Sequence, residues 1–220
     1  GTFTAVAAGG AHSLAIRSDG TLVGWGWNSD GQINVPFGTF VAVAAGGYHG
    51  LAIRSDGTLA GWGLNLYGQS TVPAGTFTVV AAGNEHSLAI RSDGTLVGWG
   101  RSSEGQTTVP SGTFTAVAAG SYYGLAIRTD GTLVGWGYNP YGETTVPVGT
   151  FTAVAAGFNH SLAIRSDGTL VGWGRNQTGE INVPAGTFTA VGAGTVHSLA
   201  IRTDGTLAGW GYNGSGQTNV

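Results

Sequence analysis

Short apolar stretches with strand-like alternation recur along the chain at a fixed interval. In the first copy, residues 2–8 (TFTAVAA) are β-branched or small and apolar, and Gly9 closes the run. His12–Arg17 (HSLAIR) alternates, with Leu14 and Ile16 on one side. Residues 21–26 (TLVGWG) predict a third strand, joined to the second by Ser18-Asp19-Gly20. The Asp-Gly pair predicts a tight primed turn, whose central residues need positive φ. A short fourth run over residues 32–35 ends at Pro36, which has no N–H for a ladder.

The same unit restarts at Gly1, Gly38, Gly75, Gly112, Gly149 and Gly186, a spacing of 37 residues, and the last copy stops two residues short at Val220. No copy has enough apolar surface to bury alone, so the repeats 1–37, 38–74, 75–111, 112–148, 149–185 and 186–220 are expected to share one domain over 1–220. Three or four short antiparallel strands per unit predict an all-β fold, a closed six-bladed β-propeller. A β-solenoid pairs parallel strands in successive coils and has no use for a hairpin turn in every unit. Small AVAAG-type runs suit the crowded axis of a propeller. Trp25, Trp62, Trp99, Trp136, Trp173 and Trp210 suit the wider gaps further out.

The unit AAG..HSLAIR.DGTL.GWG.N..GQ resembles the repeat of the regulator of chromosome condensation family, which forms propellers. It is closer still to the short-bladed type II β-lactamase inhibitory proteins, on Trp99-Gly100 with Gly105-Gln106-Thr107-Thr108-Val109-Pro110 and on Ala118-Ala119-Gly120 with Leu125-Ala126. Those inhibitors have seven blades, whereas this chain has six copies. The resemblance implies that aromatics in two loops contact a protein. The matching positions are Tyr48 and Tyr122 in the first loop, Tyr67 and Tyr141 in the second.

Five positions of the repeat differ between copies, the tenth, eleventh, twenty-seventh, twenty-ninth and thirtieth. In an up-and-down blade they follow the first and third strands, whose turns open on the same side. The Asp-Gly turns and the VP.GTF links open on the other and are nearly constant. Tyr48, Tyr67, Tyr122, Tyr123, Tyr138, Tyr141 and Tyr212, with Trp27 and Phe158, all fall on the variable side, while the unmatched Phe37 does not. Tyr mixed with Ser, Gly, Asn and a few Arg is the composition of a paratope. The expected partner-binding residues are Trp27, Asp30, Tyr48, Leu66, Tyr67, Glu85, Arg101, Glu104, Tyr122, Tyr138, Tyr141, Phe158, Arg175 and Tyr212. The expected function is non-catalytic recognition of a protein, in an inhibitor-like manner. A carbohydrate-binding propeller is an alternative, as is a designed or recently amplified scaffold without a specific ligand.

Composition narrows the classes further. Charged residues are 9% of the chain and the formal charge is −3. One Arg and one turn Asp per copy cancel, and the surplus is traced to Asp30, Glu85, Glu104, Glu143 and Glu180 against Arg101 and Arg175. There is no basic stripe for phosphate contacts, so nucleic acid is not expected as a partner. No apolar run has the ~18 residues of a membrane span. Cysteine is absent, which removes disulfides and thiolate metal sites.

His12, His49, His86, His160 and His197 recur once per copy, with Tyr123 in the fourth. Metal ligands must converge to within ~2.1 Å of the ion, so a hydrogen bond to the next blade is the expected role, with no metal or cofactor. No constellation is unique to one place, as catalysis requires, and the chain is not expected to be an enzyme. The expectation is completed by a monomer, extracellular or secreted and of bacterial type.

Overall fold

The computed structural model describes residues 1–220 and contains strands, turns and bends but no helix. The chain forms two compact units, Gly1–Thr113 and Phe114–Val220. The first holds β1 (Phe3–Ala8), β2 (His12–Arg17), β3 (Leu22–Gly26), β4 (Phe40–Ala45), β5 (His49–Arg54), β6 (Leu59–Gly63), β7 (Phe77–Ala82), β8 (His86–Arg91) and β9 (Leu96–Gly100). The second holds β10 (Phe114–Ala119), β11 (Tyr123–Arg128), β12 (Leu133–Gly137), β13 (Phe151–Ala156), β14 (His160–Arg165), β15 (Leu170–Gly174), β16 (Phe188–Ala193), β17 (His197–Arg202) and β18 (Leu207–Gly211). Each repeat is one three-stranded antiparallel sheet in chain order, and the fold class is that of a six-bladed β-propeller.

The sheets interlock through one recurring contact within each unit. Ile16 and Leu22 of the first repeat pack against Phe40, Ala52 and Ala60 of the second, with Trp62 alongside. Ile53 and Leu59 meet Phe77 and Ala89 in the same way. In the second unit, Ile127 and Leu133 meet Phe151 and Ala163, and Ile164 and Leu170 meet Phe188, Ala200 and Ala208. Polar bonds fix the register of these apolar layers. Trp62 Nε1 donates to the Gln32 carbonyl at 2.9 Å, Trp99 Nε1 to Gln69 at 2.9 Å, and Trp210 Nε1 to Glu180 at 2.8 Å.

Two local expectations are corrected. The Asp-Gly turn is not primed, because no residue other than glycine has positive φ. Ser18-Asp19-Gly20 is a three-residue loop closed by Arg17 N–H to Thr21 O at 2.8 Å, with only Gly20 (φ 85°) left-handed. Asp19 Oδ1 accepts from the Thr21 amide at 2.9 Å and its hydroxyl at 2.7 Å, an arrangement that recurs at Asp56, Asp93, Asp130, Asp167 and Asp204.

The run 32–35 is not a fourth strand. Its backbone groups are already taken, since Ile33 N–H donates to Asn28 Oδ1 and Asn34 N–H to Gly31 O. The segment instead lies against the third strand, where Gly24 lets the Ile33 backbone approach so closely that a Cβ would come within 3.0 Å of it.

That close approach gives a paired prediction. Gly61→Ala drives a methyl into the Ser70 carbonyl and should lower stability by ~1–3 kcal/mol. Gly192→Ala meets nothing within 4 Å and stands where other copies have alanine, so it should raise stability by ~0.5–1 kcal/mol. Thermal or urea unfolding of the two variants checks both signs.

Candidate functional site

The two variable connections of each repeat are joined by a main-chain hydrogen bond. Trp27 N–H donates to Ala11 O, Leu64 to Tyr48, Arg101 to Glu85, Tyr138 to Tyr122, Arg175 to Asn159 and Tyr212 to Val196, at distances between 2.8 and 3.0 Å. Gly26 (φ 104°) makes the pairing possible, because a Cβ there would sit 2.8 Å from the Ala11 carbonyl. The eleventh and twenty-seventh positions are therefore adjacent in all six copies, whatever side chains they carry.

The second connection is braced from below. Asn28 Oδ1 accepts from Ile33 N–H at 3.1 Å, and Gln32 Oε1 accepts from Asp30 N–H at 2.9 Å. The pattern repeats with Asn65 and Gln69, Asn139 and Glu143, Asn176 and Glu180, and Asn213 and Gln217. Glu143 and Glu180 thus leave the surface charge count, since both are fully buried at the Gln32 position. Their alignment with Gln32 carried that information.

In the first unit, Trp27, Asp30, Tyr48, Leu66, Tyr67 and Glu104 are exposed. Glu85 and Arg101 are partly buried and form an ion pair at 2.5 Å, and the Arg101 guanidinium lies 5.5 Å from the centre of the Tyr67 ring. Sequence reasoning missed this coupling, although the two charges occupy the paired positions of one repeat. Trp27 Nε1 donates to Ser29 Oγ at 2.6 Å, which holds the indole over its own loop.

In the second unit, Tyr138, Tyr141, Phe158 and Tyr212 are exposed. Tyr122 is partly buried and meets Tyr138 edge-on, with centroids 6.4 Å apart and planes at 84°. Arg175 is partly buried, donating to Gln177 Oε1 at 2.5 Å and lying 3.9 Å from Glu180 Oε1. The arrangement is one of aromatic side chains on hydrogen-bonded supports, suited to contact rather than to proton transfer.

Tyr123 does not belong with these aromatics. It is buried at the start of β11, and its hydroxyl donates to the His160 carbonyl of the next repeat at 2.6 Å. Burial raises its pKa. Two of the histidines at the equivalent position, His49 and His160, play the same part, whereas His12 and His86 precede repeats with Gly50 and Gly124 in place of the serine. His49 Nε2 lies 3.0 Å from Ser87 Oγ, and that hydroxyl gives its single proton to Gln69 O at 2.8 Å. The imidazole is therefore the donor to Ser87 and carries its proton on Nε2. His160 pairs with Ser198, which donates to Glu180 O. Burial lowers the His49 pKa to about 3 and the His160 pKa to about 4, so both rings are neutral.

Comparison with known proteins places this geometry. The sequence profile of the regulator of chromosome condensation (RCC1) repeat matches residues 3–32, 40–69, 77–106, 114–143, 151–180 and 188–217. No curated protein sequence matches the chain. Among solved structures, Prp20p of Saccharomyces cerevisiae, described with its binding to Gsp1p and histones, superposes with a TM-score of 0.85 at 20% identity, covering 96% of this chain and 72% of that one. Yeast RCC1 (Prp20) bound to Kap60 gives 0.84 at 22% identity, covering 96% and 70%. The ectodomain of the Physcomitrella patens receptor kinase CR4 gives 0.85 at 22%, covering all of this chain and 67% of that one. At these identities the likeness establishes the fold.

The buried histidines give a pH prediction. A neutral His49 stabilises the fold fully above its ordinary pKa of 6.5, and the contribution is lost as pH falls toward about 3, because the unfolded chain takes the proton first. The melting temperature should drop by several degrees as pH falls from about 7 to about 4. His49→Tyr, which copies Tyr123 into a site with the same glycine and serine neighbours, should keep neutral-pH stability and flatten that slope in calorimetric scans.

Proposed function

The chain belongs to the regulator of chromosome condensation (RCC1) repeat family, and from that premise we propose that it is a non-catalytic module binding a protein through its variable loops. The observation that carries this reading is the main-chain bond joining the eleventh and twenty-seventh positions in every repeat. It brings the two variable segments of each repeat together on a fixed frame and leaves Trp27, Tyr48, Tyr67, Tyr138, Tyr141, Phe158 and Tyr212 exposed. Aromatic rings on a rigid frame lose little conformational entropy when a partner covers them. Support also comes from the relatives of like fold, whose structures are described with Kap60, or with binding to Gsp1p and histones.

In its finer form the proposal is inhibitor-like: the loops cover a groove on a secreted bacterial enzyme, with Tyr67 and Tyr141 as anchors. The charges of Glu85 and Arg101 neutralise each other, so their pair supports the ring of Tyr67 more than it attracts a charged ligand. The test begins with capture of partners from a bacterial secretome on the immobilised chain, alongside a panel of class A β-lactamases and a glycan array. Replacing Tyr67 and Tyr141 with Ala should weaken binding to the captured protein by ~2 kcal/mol or more, roughly thirtyfold, with the melting temperature nearly unchanged. Sugar binding without protein binding overturns the reading, and so does loss of fold in the double variant.

A further inference from the structure

The contact that joins successive repeats has a front and a rear. The front is the Phe and Trp side, as in Phe40 and Trp62, and the rear is the Ile and Leu side, as in Ile16 and Leu22. Phe40, Phe77, Phe151 and Phe188 are each 3% exposed where a preceding repeat covers them. The front of the first repeat is uncovered, with Phe3 and Trp25 both 49% exposed. The rear of the sixth is uncovered as well, with Ile201 40% and Leu207 53% exposed, against 1% and 6% for Ile16 and Leu22.

These two faces are complementary halves of a contact that the structure makes twice within each unit. We propose that a second copy of this chain docks on them head to tail, the sixth repeat of one copy against the first repeat of the next. The repeat register names the bonds. Trp62 Nε1 to Gln32 O becomes Trp25 Nε1 to Gln217 O across the junction. Ser87 Oγ to Gln69 O becomes Ser13 Oγ to Gln217 O, and the His49–Ser87 pair becomes His197 with Ser13. Phe40 N–H to Gly20 O becomes Phe3 N–H to Gly205 O.

Each of these donors on one face has its acceptor on the other, and the apolar layers match position for position. No partner of unrelated sequence would supply that register. The contact is heterologous, so copies add in one direction and form a ring or an open filament. It replaces the monomer expected from counting six copies.

The test is sedimentation of the 220-residue chain over a wide range of concentration. The wild type should show a mass above one chain that rises with concentration. A front-blocked variant, Phe3→Asp with Trp25→Ala, and a rear-blocked variant, Leu207→Asp, should each be monomeric, since each has lost one half of the contact. Mixed in equal amounts, they should form a one-to-one dimer and nothing larger, because one intact front then meets one intact rear. Circular dichroism shows whether each variant is folded, and Leu207→Lys serves as a second rear block. A wild type that stays monomeric overturns the proposal. So does association that survives both blocks, a mixture that fails to dimerise, or capture of an unrelated protein through Phe3 and Trp25.

Discussion

Within each unit one carbonyl ties a repeat to the next, that of the residue at the Gln32 position. At Gln69 its oxygen accepts both Trp99 Nε1 and Ser87 Oγ of the following repeat, while the side-chain Oε1 holds the amide of Tyr67 in its own loop. Both lone pairs of the carbonyl are thereby used. A single buried residue thus couples the packing between sheets to the shape of the variable loop. Net, each such bond contributes about 1 kcal/mol, but leaving a buried partner unmatched costs about 1–3 kcal/mol. The second cost makes the register strict.

The same geometry explains why glutamate replaces glutamine at positions 143 and 180. Only an Oε acceptor is used, and the amide nitrogens of Gln32 and Gln69 have no hydrogen-bond partner. A carboxylate forfeits nothing that the amide was providing. Arg175, 3.9 Å from Glu180, shows one way in which the added charge is met.

The repeat, the strands His12–Arg17 and Phe3–Ala8, and the structural part of the histidines were legible in the sequence because each follows from spacing and apolar pattern. The fourth run misled because its composition suits a strand, while its amides are claimed by Asn28 and by a turn. The Asp-Gly turn was read one residue too short, since the carboxylate of Asp19 stabilises a longer loop by binding Thr21. Tyr123 was placed among the loop aromatics on residue type, although its alignment with His12 pointed to the core. The Glu85–Arg101–Tyr67 cluster spans two repeats, and contact across repeats is a matter of three-dimensional register.

The bond between the eleventh and twenty-seventh positions is made by the main chain alone, so it is indifferent to what those residues are. Aromatic, acidic, basic and aliphatic side chains all occupy the two places on one frame. Genetic exchange between copies at the constant Asp-Gly turns moves half a loop pair at a time and disturbs none of these bonds. A change of side chain at either place therefore calls for no compensating change in the main-chain frame that carries it.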